Sequence, residues 1–161
     1  MTPEFYTSLK ARLAELVGAL RFLHPVSGTA AAPQVIDVML PRATSATETG
    51  DEYPFVRWMV TRGAFDVPGR VRFTLVLDAG ICTDDTVGAG NEDITALALA
   101  LGRIVERPVF TPYRIDGEVD FTIGNPGGGV DQASPGLQPH PYYHCRLHIP
   151  FVMMAPSRRT V

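Results

Sequence analysis

Between Val71 and Leu77 the side chains alternate, with Val71, Phe73, Leu75 and Leu77 on one side and Arg72, Thr74 and Val76 on the other. Period two predicts a strand with one buried face. A Gly/Asp-rich loop, Ile81 to Gly90, separates it from a segment in which Ile94, Leu97, Leu101 and Ile104 recur at helical spacing. Asn91 is placed to cap that helix, Glu92 and Asp93 meet its positive end, and Pro108 stops it. A helix with one apolar stripe beside a half-apolar strand predicts a helix laid on a sheet.

The same periodicities place the other elements. Thr2 and Pro3 suit an N-cap and first helical position, and Phe5, Leu9, Leu13, Leu16 and Leu20 follow on one face, with Lys10, Arg12 and Glu15 pointing elsewhere. His24 to Pro33 reads as a linker. Strands are predicted over Gln34–Leu40, from Tyr53 to Thr61, over Ile115–Ile123 and from Tyr142 to Phe151, the last with Tyr143, Cys145, Leu147, Ile149 and Phe151 on its apolar side. Arg62 to Gly69 reads as a turn, while Arg42 to Asp51 and Asn125 to Pro141 read as long loops. The fold class that follows is α+β: a mostly antiparallel sheet with two helices packed on one face, in a single domain spanning residues 1–161.

At 161 residues the chain can bury about two thirds of its unfolded surface without disulfides. Its two cysteines, Cys82 and Cys145, lack metal-ligand spacing and fit a reducing cytosol. No charged-then-apolar leader opens the sequence and no apolar run approaches a membrane span, so no membrane association is expected. A net charge of −3 argues against a dedicated nucleic-acid binder. Lys10 is the only lysine, so the cations are nearly all arginine, which suits forked pairing at packed interfaces.

With the apolar sides facing the helices, the opposite side carries Arg57, Arg72, His144, Arg146 and His148 on basic strands and Asp116, Glu118 and Asp120 on an acidic one. Neighbouring strands of opposite sign would form cross-strand pairs; strands at opposite edges would complement one another between subunits and close a ring. These eight residues are the candidate subunit-interface set. His144 and His148 stand about 13 Å apart on a strand, too far to share a metal ion. The three acids could hold a hard cation only with further oxygens. Gly88 and Gly90 resemble a crude anion site, but Asp84, Asp85, Glu92 and Asp93 oppose a phosphate, and no Walker or nucleophile-elbow pattern is present. Neither a catalytic residue nor a cofactor is assigned, and an enzyme is not expected.

Several local phrases in order resemble the tail terminator proteins of long-tailed bacteriophages. They are Tyr53-Pro54-Phe55 opening a strand, Val71–Leu77 leading through an acidic Gly-containing loop to the helix Asn91–Glu106, and His140-Pro141-Tyr142-Tyr143 opening a long alternating strand that ends before Pro156. The resemblance covers roughly the last two thirds of the chain. It implies a virion structural protein, made in the bacterial host cytoplasm, that forms a homohexameric ring at the head-proximal end of the tail. Such a ring would bind the tail tube protein, stop its polymerisation and dock a neck or head-completion protein, with double-stranded DNA passing through without specific binding. Partner contacts would fall in the acidic and long loops, with Thr47, Glu48, Asp51, Asp84, Asp85, Asn125, Gln132 and Gln138 as candidates. Arg57, Arg72 and Arg146 should then be paired or at subunit contacts, because free arginines in a DNA channel would hold phosphates. The alternatives are another neck or tail-completion protein, or a small cytosolic ligand-binding domain or enzyme.

Overall fold

The computed structural model describes residues 2–37, 53–67, 69–83, 88–110, 113–124 and 142–154. Helix α1 spans Pro3–Val17, followed by strands β1 (Phe22–Leu23), β2 (Ala30–Ala31), β3 (Gln34–Ile36), β4 (Phe55–Val67) and β5 (Arg70–Cys82). Helix α2 (Ala89–Gly102) tightens into a 3₁₀ turn, Arg103–Glu106, before β6 (Val109–Phe110), β7 (Tyr113–Ile115), β8 (Asp120–Ile123) and β9 (Tyr142–Met154). Among the described residues the nine strands form one sheet, antiparallel throughout except for β3, which runs parallel to β4. The α+β class with both helices on one face is what the sequence predicts.

Strands β4, β5 and β9, each of 13 residues, are the body of the sheet. β5 lies between the other two and pairs with β9 along its whole length, from Arg70 opposite Met154 to Cys82 opposite Tyr142. β9 carries β7 and β8 on its other edge. Leu75, Leu77, Ala79 and Ile81 of β5 and Cys145, Leu147, Ile149 and Phe151 of β9 are buried in one cluster with Leu9 and Leu13 of α1 and Ile94, Leu97 and Leu101 of α2. Each fully buried aliphatic side chain in that layer contributes about 1.5–3 kcal/mol relative to exposure.

Aromatic rings seat α1 at one end. Phe5 stands 4.4 Å from the Tyr113 ring and 5.7 Å from that of Phe151, while Tyr6 covers Trp58 at 4.9 Å. The helix starts as its sequence predicts: Thr2 Oγ1 accepts the Phe5 N–H and Pro3 occupies the first turn. No helix among the described residues is long and apolar enough to cross a membrane.

Four local expectations change. The predicted turn Arg62–Gly69 is mostly strand, because β4 continues to Val67 and pairs with β5 around a bulge between Val60 and Arg62. That half lacks alternation because it is exposed at every position from Thr61 to Phe65, so no buried face selects its residues. α2 begins two residues before Asn91, with Gly88 at φ 98° turning the chain into it. The linker His24–Pro33 contains β2, paired with β1 in a small hairpin. Finally, Ile115–Ile123 is two strands rather than one, interrupted at Gly117, whose φ of 138° leaves the extended conformation. Of the predicted strand Gln34–Leu40, residues 38–40 lie outside the described set.

Candidate functional site on the outer face of the sheet

Register determines which side chains share the face away from the helices. Arg57 stands opposite Asp78, Asp78 opposite Arg146, and Arg146 opposite Thr122, giving one row across four strands. Arg146 Nη2 lies 3.6 Å from Asp78 Oδ1, with the two side chains 30% and 20% exposed. At that burial the pair is screened less than an ordinary surface ion pair. Asp78 escapes the sequence reading because the predicted strand stops one residue short of it.

The charges are therefore not segregated by strand. Asp116 and Glu118 lie in the connection between β7 and β8, and only Asp120 is in a strand, opposite His148. Asp116 reaches across to Arg72, with Oδ2 3.3 Å from Nη2, in an ion pair whose angles do not make that oxygen a hydrogen-bond acceptor. Of the two arrangements left open by the sequence, the acidic segment is the neighbour of a basic strand. His148, Glu118 and Asp120 are exposed.

The next row has a different character. His144 is buried, and its Nε2 stands 3.1 Å from the Tyr53 hydroxyl. Tyr53, Phe55 and Cys82 form a second buried cluster with Ile36 and Tyr142 against it. The guanidinium of the buried Arg57 sits 4.4 Å above the Phe55 ring in a cation–π contact. Gly80 makes this layer possible: a Cβ there would stand 2.6 Å from the Phe55 ring and 2.8 Å from that of Tyr53. Thus His144 and Arg57, taken from the sequence as surface groups, belong to a small aromatic core on the far side of the sheet. The phrase Tyr53-Pro54-Phe55 supplies two of its rings.

The helix side holds a further buried cation. Arg12, expected to point away from the core, is 8% exposed and donates from Nη2 to the Arg103 carbonyl at 2.9 Å. Its Nη1 meets Glu15 at 3.0 Å, and Arg107 reaches the same carboxylate at 3.3 Å. A cation at the end of α2 complements the helix's negative pole. On the same side of the sheet Cys145 is fully buried, and burial, aided by the Asp78 charge, pushes its thiol up to about 12.

Among the described residues no three His, Cys, Asp or Glu side chains gather as metal ligands. The partner-loop candidates Thr47, Glu48, Asp51, Asp84, Asp85, Asn125, Gln132 and Gln138 all lie outside the described residues. Among the described residues the outer face thus joins paired charges and a closed aromatic layer. Such a surface can present fixed charge and shape to another protein. No protein-family model matches the chain, and no curated protein does.

Proposed function

We propose that the chain is a structural assembly protein of the bacteriophage tail, a terminator-like subunit that forms a hexameric ring at the head-proximal end of the tail tube. The ring ends tube polymerisation and provides the surface on which the neck docks. One observation carries this reading: the outer half of β4 projects with Thr61 to Phe65 exposed, and the Phe65 ring is 87% exposed at its end. A large apolar side chain held out on a strand, away from the core, suits contact with another protein better than enclosure of a small molecule. The α+β architecture accords with the family resemblance. Pairing of Arg72 with Asp116 and of Arg146 with Asp78 within the chain also reduces the positive charge available to hold passing DNA.

The test is molar mass by light scattering across concentration, with negative-stain images of the protein alone and with tail tubes. Rings, or decoration of one tube end, are the expected result. A protein that stays monomeric and binds neither tube end overturns the reading.

A further inference from the structure

Among the sheet edges without a strand partner in the described residues, two border the β4–β5–β9–β8 stack. One is the outer half of β4, since β3 pairs only with Phe55 to Arg57. The other is the far edge of β8, whose single described partner is β9. Unpaired N–H and C=O groups on a strand edge are a template for another strand.

The two edges are complementary in three respects. On the outer face, Arg62 of β4, which registers with Thr74, is exposed and makes no ion pair among the described residues; Asp120 of β8, which registers with His148, and the neighbouring Glu118 are likewise exposed and unpaired. On the helix side, Phe65 registers with Val71 and is 87% exposed, and Phe121 registers with Leu147 and is 51% exposed. Direction agrees as well. β4, β5, β9 and β8 alternate antiparallel, so rotation about an axis along the strands brings β8 of one copy antiparallel to β4 of the next.

We infer that the occupant of these edges is a second copy of this chain. The Glu118–Asp120 edge of each subunit adds onto the Arg62 edge of its neighbour, giving a sheet continuous around the ring. The contact is head-to-tail, so it leaves each subunit one open edge until the ring closes. This inference rests on the ring reading and specifies its subunit contact. The alternative role for Arg62 is to guard an edge against unwanted pairing; under it, reversing the charge would not weaken assembly selectively.

A charge exchange tests it. Arg62→Glu makes both edges acidic, and the Glu118→Arg, Asp120→Arg double variant makes both basic. All three sites are exposed, so both proteins should fold, which circular dichroism and a thermal melt verify. Each alone should lose self-association by on the order of 100-fold, and an equimolar mixture should restore it, because subunits can alternate around an even ring. Light scattering of the two variants and their mixture reads the result. Rings formed by either variant alone at the wild-type concentration, or a mixture no better than its parts, overturn the edge contact and leave the ring reading intact. A wild-type chain that is monomeric alone and on tubes overturns both.

Discussion

Arg12 and Arg103, 91 residues apart in sequence, meet where a guanidinium nitrogen donates to a main-chain carbonyl at 2.9 Å. The contact ties the first helix to the end of the second. It places a buried positive charge where α2 has its unsatisfied carbonyls and negative pole.

Replacing Arg12 by Met keeps much of the aliphatic bulk and removes the charge. Arg12→Met should cost about 1.5–3 kcal/mol, the range for a hydrogen bond to a charged group. Arg12→Lys should recover only part, because a single ammonium cannot serve the Arg103 carbonyl and Glu15 as a fork does. Urea denaturation at constant slope checks both. A loss below about 0.5 kcal/mol for the Met variant, the range of ordinary surface changes, would mean the contact is dispensable.

Two glycines of α2 should respond with opposite signs. A Cβ at Gly90 would overlap the Tyr143 ring, whereas Gly102 has open space within 4 Å. Gly102→Ala should stabilise by about 0.4–1 kcal/mol. Gly90→Ala should destabilise by about 1–3 kcal/mol through overpacking, despite better helix propensity. Thermal melts of the two variants side by side give the comparison; equal shifts would show that Tyr143 can move aside.

The outer-face row can be dissected by a double-mutant cycle. Asp78 is the one acid in the row that runs from Arg57 to Thr122, so Asp78→Asn leaves two cations flanking a neutral strand. Asp78→Asn should cost more than Arg146→Met, on the order of 1–3 kcal/mol. The cycle should return a coupling above the value typical of exposed pairs, roughly 0.2–1 kcal/mol. Additive losses would show that the half-buried geometry confers no advantage.

Cys145 provides a pH signature. Its ordinary value in the unfolded chain is 9.0, and in the fold it is pushed up to about 12, so the folded state keeps a proton that the unfolded state gives up. The contribution is fully present below pH 9 and is lost as pH rises from 9 towards 12. In a Cys82→Ala background, stability should fall over that interval by up to about 1.4 kcal/mol per pH unit from this one proton. Adding Cys145→Ala should remove that component of the slope. In the same background a thiol reagent at pH 8 should label the unfolded protein and spare the folded one.

Where burial is one-sided, the sequence is explicit about structure. β9 alternates because Tyr143, Cys145, Leu147, Ile149 and Phe151 face the helices while Tyr142, His144, Arg146 and His148 do not, and α1 shows its cap, first-turn proline and apolar stripe. Elsewhere the pattern has a different cause or none. The outer half of β4 is exposed and pairs along its backbone with β5, so it lacks an apolar alternation, and Pro68 and Gly69 at its end suggest a turn. The end of β5 is buried on both faces, and Gly80 marks a place where aromatic rings approach rather than a loop. Alternation from Ile115 to Ile123 runs on through a real interruption at Gly117. For the candidate site, residue type identifies most of the outer-face charges. Which of them meet depends on register, and register joins Arg146 to an aspartate beyond the predicted strand end. Trp58 carries no such signal: its Nε1 is buried without a hydrogen-bond partner among the described residues.

The place of β9 in the chain governs the timing of folding. Every strand it pairs with among the described residues, β5, β7 and β8, precedes it in sequence. During synthesis α1, the β4–β5 hairpin and α2 therefore leave the ribosome before the strand that joins their apolar sides. Until it arrives, Leu75, Leu77, Ile94 and Leu97 lack the surface that covers them. Long-range pairing of this kind is slow and leaves hydrophobic surface available to chaperones in the interval. Native contacts are thus completed late, so an incomplete chain that stops short of Tyr142 should remain unable to complete its fold.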